Sequence, residues 1–297
     1  MNEDRFTADL ADMFSHRRKD VFTGIGDDAA VLDLSLPGDQ LLLAAADQVI
    51  RNIHFTPDTP PELIAKKLLN RNISDIAAMG GTPTHALLTV AVESLQEDWL
   101  KAFHMGLAAE AERYGIAVIG GDLAHTPNDL VATLTILGTV PKQKLCLRSN
   151  AKSGDILYLT GTFGRSFQTG HHLTFTPRLD AAQALAGTYT NAMMDVSDGL
   201  AKDLSRFAAA SGVSVKITTD LPKRDGANDE EALNDGEDYE LIIAVPPEKS
   251  QALERSGLPG KLGLTRAGIF TGGQPAGTII YHEQKIQEKG YDHFYEN

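Results

Sequence analysis

The chain has 297 residues, 42% of them apolar, with 27 Lys and Arg against 40 Asp and Glu and a formal net charge of −13. That length favours two domains, each able to bury its own core, and the negative balance argues against nonspecific nucleic-acid binding, which needs a positive surface. The single cysteine, Cys146, excludes an internal disulfide and fits a reducing compartment; with no apolar run of membrane-spanning length and no apolar signal core in MNEDRFTADL, the expected location is the cytoplasm.

In chain order, residues 4–15 read as a short amphipathic helix with Phe6, Leu10, Met13 and Phe14 on its apolar side. Apolar, strand-like runs follow at 41–46, 86–92, 116–119, 130–140 and 156–160. Between them lie helical stretches at 61–79, from a Pro pair to Gly80-Gly81, and at 97–114, ending before Gly115. The segment 141–155 reads as a crossing between domains, with Cys146 as a buried, inert thiol. A Gly-rich turn at 161–170, a helix starting near Pro177, a helix at 199–211 and strands near 213–218 and 240–245 complete the reading. The polar, acidic stretch 222–236 reads as an exposed loop. Helices and strands are mixed throughout, which predicts an α/β or α+β fold with domains at 1–140 and 141–297.

Seven aspartates stand out in five short clusters: Asp27 and Asp28, Asp47, Asp75, Asp122, and Asp195 with Asp198. Most are bracketed by apolar or glycine residues, as in GIGDDAAV, NISDIAAMGG and MMDVSDGL. A carboxylate in apolar surroundings carries a large desolvation cost unless something positive meets it, and several brought together repel. Hard divalent cations, Mg²⁺ above all, answer both problems, and carboxylates with Mg²⁺ most often handle phosphoryl groups. With so acidic a chain, an anionic substrate must arrive with metal or meet locally placed Arg or Lys.

Each motif has a plainer reading beside the functional one. On the 61–79 helix, Ile64, Leu68, Asn72, Asp75 and Met79 form one stripe, so Asp75 either pairs with Asn72 inside the core or projects into an acidic site. Asp122 follows the strand-like IAVIGG and is either a turn aspartate or a site residue at a strand end. Ser197 or Asp198 can cap the helix that follows, whose N-terminus also suits phosphate; capping explains one acid of the pair Asp195 and Asp198, not both. GEDYEL at 236–241 packs Glu237, Asp238 and Glu240 into a turn or a site. Arg148 either meets a nucleotide phosphate or is an ordinary surface arginine. His171-His172 lacks metal-ligand spacing and is read as structural or surface. A P-loop, the protein-kinase signatures and a dinucleotide-binding glycine motif are absent.

Taken together and in order, GIGDDAAV, Asp47 with His54-Phe55, NISDIAAMGGTP, IGGD, Arg148-Ser149, VSDGLAKDL, GEDYEL and the terminal GYDHF cover nearly the whole chain. The set resembles thiamine-monophosphate kinase, a family within the superfamily of aminoimidazole-ribonucleotide synthetase and selenophosphate synthetase. The resemblance implies an N-terminal mixed α/β domain whose sheet pairs with that of a second copy to form a barrel in a homodimer, and a C-terminal α/β domain beside it. It implies ATP-dependent phosphorylation of thiamine monophosphate to the diphosphate by direct phosphoryl transfer, assisted by several Mg²⁺ ions. By the same resemblance Asp28, Asp47, Asp75, Asp122, Asp195 and Asp198 are metal ligands, with Asp75 and Asp198 catalytic. Gly121, Asp122, Arg148 and Ser197 contact the nucleotide, and His54, Glu237 and Glu288 lie near the acceptor. No nucleic-acid or membrane partner is implied. The chain departs from the family pattern at Ala45 and Ala46, where threonines precede the aspartate at 47, at Leu123, where threonine follows the aspartate at 122, and at Glu288, where an aromatic residue stands. It is also shorter between Gly161 and His171 and in the 222–236 loop. Two alternatives stay open: a related ATP-dependent enzyme with another phosphate or small-acid substrate, and a catalytically weak nucleotide-binding homologue.

Overall fold

Buried and open positions alternate without a break along Val131–Pro141, the period of a strand with one covered face. This strand, β6, is central to a six-stranded sheet with β1 (Val21–Thr23), β2 (Ala30–Leu36), β3 (Gln40–Ile50), β4 (Thr82–Val92) and β5 (Ala117–His125), in the order β1-β2-β3-β6-β4-β5. All pairings are antiparallel except β4 with β5, which are joined through a helix as parallel neighbours must be. The structure is a computed structural model and describes residues 18–287 and 289–292, with Thr7, Leu10, Met13 and Phe14 of the N-terminal stretch. Thr7, Leu10 and Met13 are helical as read from sequence; Phe6, Glu288 and the last two residues of GYDHF lie outside the described residues.

Helices α1 (Pro61–Ala78) and α2 (Glu97–Tyr114) cover one face of this sheet. Prolines open α1, and Gly80, at φ 73, follows its end. A side chain at Gly80 would meet the Lys144 carbonyl at 2.5 Å, so the turn needs glycine both for its backbone and for its close approach. The stripe read from sequence is real: Ile64, Leu68, Asn72 and Met79 are buried and Asp75 keeps partial exposure.

After a 3₁₀ turn at Lys142–Lys144, the second half builds a seven-stranded sheet. It contains β7 (Ile156–Thr160), β8 (Ala192–Val196), β9 (Ser214–Ile217), β10 (Glu240–Val245), β11 (Leu264–Thr271), β12 (Ile279–Tyr281) and β13 (Gln284–Lys285), in the order β13-β12-β9-β11-β7-β10-β8. Its helices are α3 (His171–Thr174), α4 (Leu179–Leu185), α5 (Leu200–Ala210), α6 (Asp229–Asn234), α7 (Pro247–Arg255) and α8 (Leu258–Leu262). Strands β7, β8 and β10 are buried along their whole length. Helix α1 packs against both halves: it touches β3 and β6 on one side and α3, α4 and β8 on the other. Ala77 and Ala78 share a core with Cys146, Tyr158, Met193 and Ile243. The Cys146 thiol is buried, and burial pushes its pKa up, as an inert thiol requires.

Three local readings change. The 222–236 stretch is not all loop: Asn228 and Glu231 form a reciprocal capping box that starts α6, and Ala232 and Leu233 are buried. Strand β5 does not stop at 119. Gly120 and Gly121, at φ 159 and 158, carry it through Asp122 with a shift of register against β4. Neither Ser197 nor Asp198 caps α5. Gly199 holds the cap position, and Asp203, from inside the first turn, accepts the backbone N–H groups of Ser197 at 3.0 Å and Asp198 at 2.8 Å.

Candidate active site

One face of α1 carries Lys67, Arg71 and Asp75, each a turn apart, with Asn72 and Ser74 between them. Because this helix lies between the two sheets, its face presents charge to both halves. Asp75 meets Asp28, from the bend before β2, and Asp195, from the buried strand β8; one carboxylate oxygen of each lies within 4.8 Å of the others. Ser74 Oγ donates to Asp195 Oδ2 at 2.7 Å. Arg148 Nη2 donates to Asp28 Oδ1 at 2.5 Å, and its Nε lies 3.4 Å from Asp27. Asp28 Oδ2 is buried and has no hydrogen-bond partner.

These acids are poised for a cation. Burial, then repulsion from Asp47, Asp195 and Asp28, holds the Asp75 carboxyl well above the ordinary carboxylate range. Burial and then the Asp28 charge do the same to Asp195. Asp27 is pushed up to about 7 by burial and by Asp28, with Arg148 pulling the other way. An all-oxygen donor set with an unpartnered buried oxygen suits a hard divalent ion. Beside it opens a cavity of about 480 Å³, lined by Gly24, Gly26, Asp27, Asp28, Arg148 and Arg206 among others.

The remaining residues expected at the site are spread around this centre. Asp47, on β3, bonds Arg71 Nε at 2.7 Å, and its N–H donates to Asn72 Oδ1 at 3.1 Å. Burial works against the Arg71 charge, but Asp47, Tyr239 and Glu237 together more than offset it, and its pKa lies above the ordinary arginine value. Asp198 pairs with Arg206 Nη1 at 2.7 Å and Lys202 Nζ at 3.3 Å. Gly121 and Asp122 are exposed on β5, which is separated from β3 by β6 and β4, about 14 Å along the sheet. Ser197 is half-buried at the turn into α5. On the far side, Lys67 Nζ lies 2.6 Å from Glu237 Oε1 and 2.5 Å from the His54 carbonyl. His54 Nδ1 accepts the Ile50 N–H at 3.0 Å. Burial lowers the Lys67 pKa to about 8, against the pull of Glu237. Glu237 and Tyr239 hold left-handed backbone, at φ 64 and 51, a strain that clusters at sites. Phe167 stacks on His172 at 4.0 Å, with Lys67 Nζ 5.8 Å from its ring centre.

Sequence reasoning missed Lys67, Arg71, Asp203 and Arg206. A signal for the first two was present: they stand eight and four residues before Asp75, on its face of the helix. His172 is buried and structural, as one of the two readings had it.

A two-layer N-terminal half, a second α/β half and carboxylates converging from the β1–β2 connection, α1 and β8 define an AIR synthase related protein. The N-terminal domain of that class matches residues 26–140, and its C-terminal domain matches 149–261. The thiamine-monophosphate kinase of Salmonella typhimurium is 36% identical over 93% of each chain, and that of Bacillus subtilis 34% identical over 92% of this chain and 94% of its own. The solved structure of AaThiL complexed with AMPPCP and TMP superposes with a TM-score of 0.85 at 26% identity, covering 99% of this chain and 97% of that one. The chain belongs to the thiamine-monophosphate kinase family.

Proposed function

We propose that this protein transfers the γ-phosphoryl group of ATP directly to the phosphate of thiamine monophosphate, giving ADP and thiamine diphosphate. The observation that carries the reading is the meeting of Asp28, Asp75 and Asp195 beside a cavity of nucleotide size, with one carboxylate oxygen buried and unpartnered. Family membership supplies the reaction, and a relative of the same fold binds an ATP analogue together with TMP.

Asp28, Asp75 and Asp195 would hold Mg²⁺, which when bound screens the phosphates and stabilises charge on the transferring group. Arg148, held between Asp27 and Asp28 at the cavity wall, orients the nucleotide phosphates; Ser197, Gly121 and Asp122 are assigned to the same substrate. His54 and Glu237, fixed by Lys67, form the acceptor side, and Glu288 is assigned there too. The acceptor phosphate oxygen is already ionised at neutral pH, so no protein base has to remove a proton. One P–O bond forms from that oxygen to the γ-phosphorus as the bond to the β,γ-bridging oxygen breaks. The chain's contribution is therefore positioning and charge. We assign the working form to a cytoplasmic homodimer, with the domain division near residue 141.

The test is turnover: purified protein with Mg²⁺, ATP and thiamine monophosphate should yield thiamine diphosphate and ADP in equal amounts. Saturable ATP binding without any thiamine diphosphate would overturn the reading in favour of another acceptor or a nucleotide-binding role.

A further inference from the structure

The carboxylate cluster falls into two parts. Asp28, Asp75 and Asp195 approach one another; Asp28 meets Arg148 through Oδ1 alone, and its Oδ2 is left buried and unpartnered. Asp47 is different. Arg71 Nε bonds its Oδ2 at 2.7 Å, while Arg71 Nη1 donates to the neighbouring Gln48 carbonyl at 2.6 Å. The guanidinium is thus fixed at two points across the start of the acceptor side. Its side chain is 11% exposed and that of Asp47 31%, so the pair is partly buried and screened less than a surface pair. The residues before Asp47 on β3, Ala45 and Ala46, bring no side-chain oxygen, so an ion there would rest on the Asp47 carboxylate and water and would compete poorly with Arg71. The Asp47 N–H is itself held by Asn72 on the same helix, which fixes the strand against α1.

We propose that Arg71 is a built-in cation that neutralises Asp47 in place of a divalent ion, so that the metal set of this chain is Asp28, Asp75 and Asp195 and excludes Asp47. The inference rests on the metal reading given above and sharpens it. Arginine suits this position because it stays charged and its planar fork grips a carboxylate and a carbonyl together. Its charge does not depend on the free Mg²⁺ concentration. It stands one turn from Asp75 and one turn from Lys67, and so keeps positive charge between the metal set and the acceptor side whether or not metal is loaded. Arg71 is a positioning residue in this account: it acts through Asp47.

The experiment counts Mn²⁺ bound per chain, by the loss of the free-ion electron paramagnetic resonance signal, in the full-length protein with and without ATP. Asp75→Asn should lose bound Mn²⁺, and Asp47→Asn should keep the parent number. Arg71→Met should gain one ion, because Asp47 is then free to bind it, and Arg71→Lys should keep the parent number. A loss of one ion in Asp47→Asn, or no gain in an Arg71→Met protein with parent-like circular dichroism, would overturn the inference while leaving the metal reading intact. If Arg71→Met does not fold, the Asp47→Asn count decides by itself. No bound Mn²⁺ in the parent would overturn the metal reading and this inference with it.

Discussion

Asp75 and Asp195 bear the cost of the site, since each is pushed toward its neutral form first by burial and then by its neighbours. Replacing Asp75 with Asn removes one repelling charge, so the metal-free protein should gain stability, on the order of 1 kcal/mol, in a thermal or urea melt. The same change should weaken Mg-ATP binding at least tenfold by calorimetry. The pH dependence follows from the same shifts. A carboxyl whose folded pKa is raised contributes stability that is fully present below its unfolded value, 3.8 for Asp27, and is lost as pH rises through the folded value, about 7. The melting temperature of the metal-free protein should therefore carry a declining component between those limits. Mg²⁺ should remove it, with protons released on binding; a melt that rises steadily with pH over that window in chelator would contradict this. At this scale the sequence was informative where apolar neighbours surrounded an acid, as at Asp28, Asp75 and Asp195. It placed Lys67 and Arg71 on the Asp75 face of the helix but could not tell that they turn inward, because a basic residue on a helix ordinarily points to water and only tertiary packing buries these two.

Helix α1 links the two sheets, and its ends were legible from the Pro pair and Gly80-Gly81 because both act through local backbone geometry. Strand β5 was legible only to its first glycine. A glycine pair ordinarily weakens a strand, but here Gly121 lies so close to β4 that a Cβ would sit 1.6 Å from the Leu88 carbonyl oxygen. Gly121→Ala should detach β5 from β4. Amide exchange at residues 117–125 should accelerate while the core of the C-terminal half stays protected, and equal protection in parent and variant would count against this account. Helix α6 was hidden by its acidic composition, although Asn228 and Glu231 spell a capping box. The turn at Glu237 and Tyr239 was readable as a motif but not as strained backbone, since the left-handed angles are imposed by what holds the segment: Lys67 on Glu237, and Ser166 Oγ on the Glu237 carbonyl at 2.6 Å.

In the molecule as a whole, β5 is an open edge. Val118, Ile119 and Leu123 are 42%, 57% and 49% exposed on it, and Leu87 on β4 is 40% exposed. An apolar edge strand of this kind invites pairing, and a two-fold copy offers a matching edge. Light scattering at micromolar concentration should give the mass of a dimer, and Ile119→Lys should shift it toward the 32.0 kDa chain. A parent that scatters as a monomer would rule out the dimeric barrel. The two-sheet architecture was foreseeable from alternating helix and strand signals, whereas the expected pairing of whole sheets came from the family resemblance and not from the residue pattern, because it depends on which faces remain uncovered after folding. The account stands or falls on direct transfer at a metal-loaded carboxylate site. Its most direct test is γ-³²P-labelled ATP incubated with Mg²⁺, thiamine monophosphate and the purified protein. The account predicts label in the terminal phosphate of thiamine diphosphate, none on the protein, and loss of transfer in Asp75→Asn. Labelled protein, or label released only as inorganic phosphate, would contradict it.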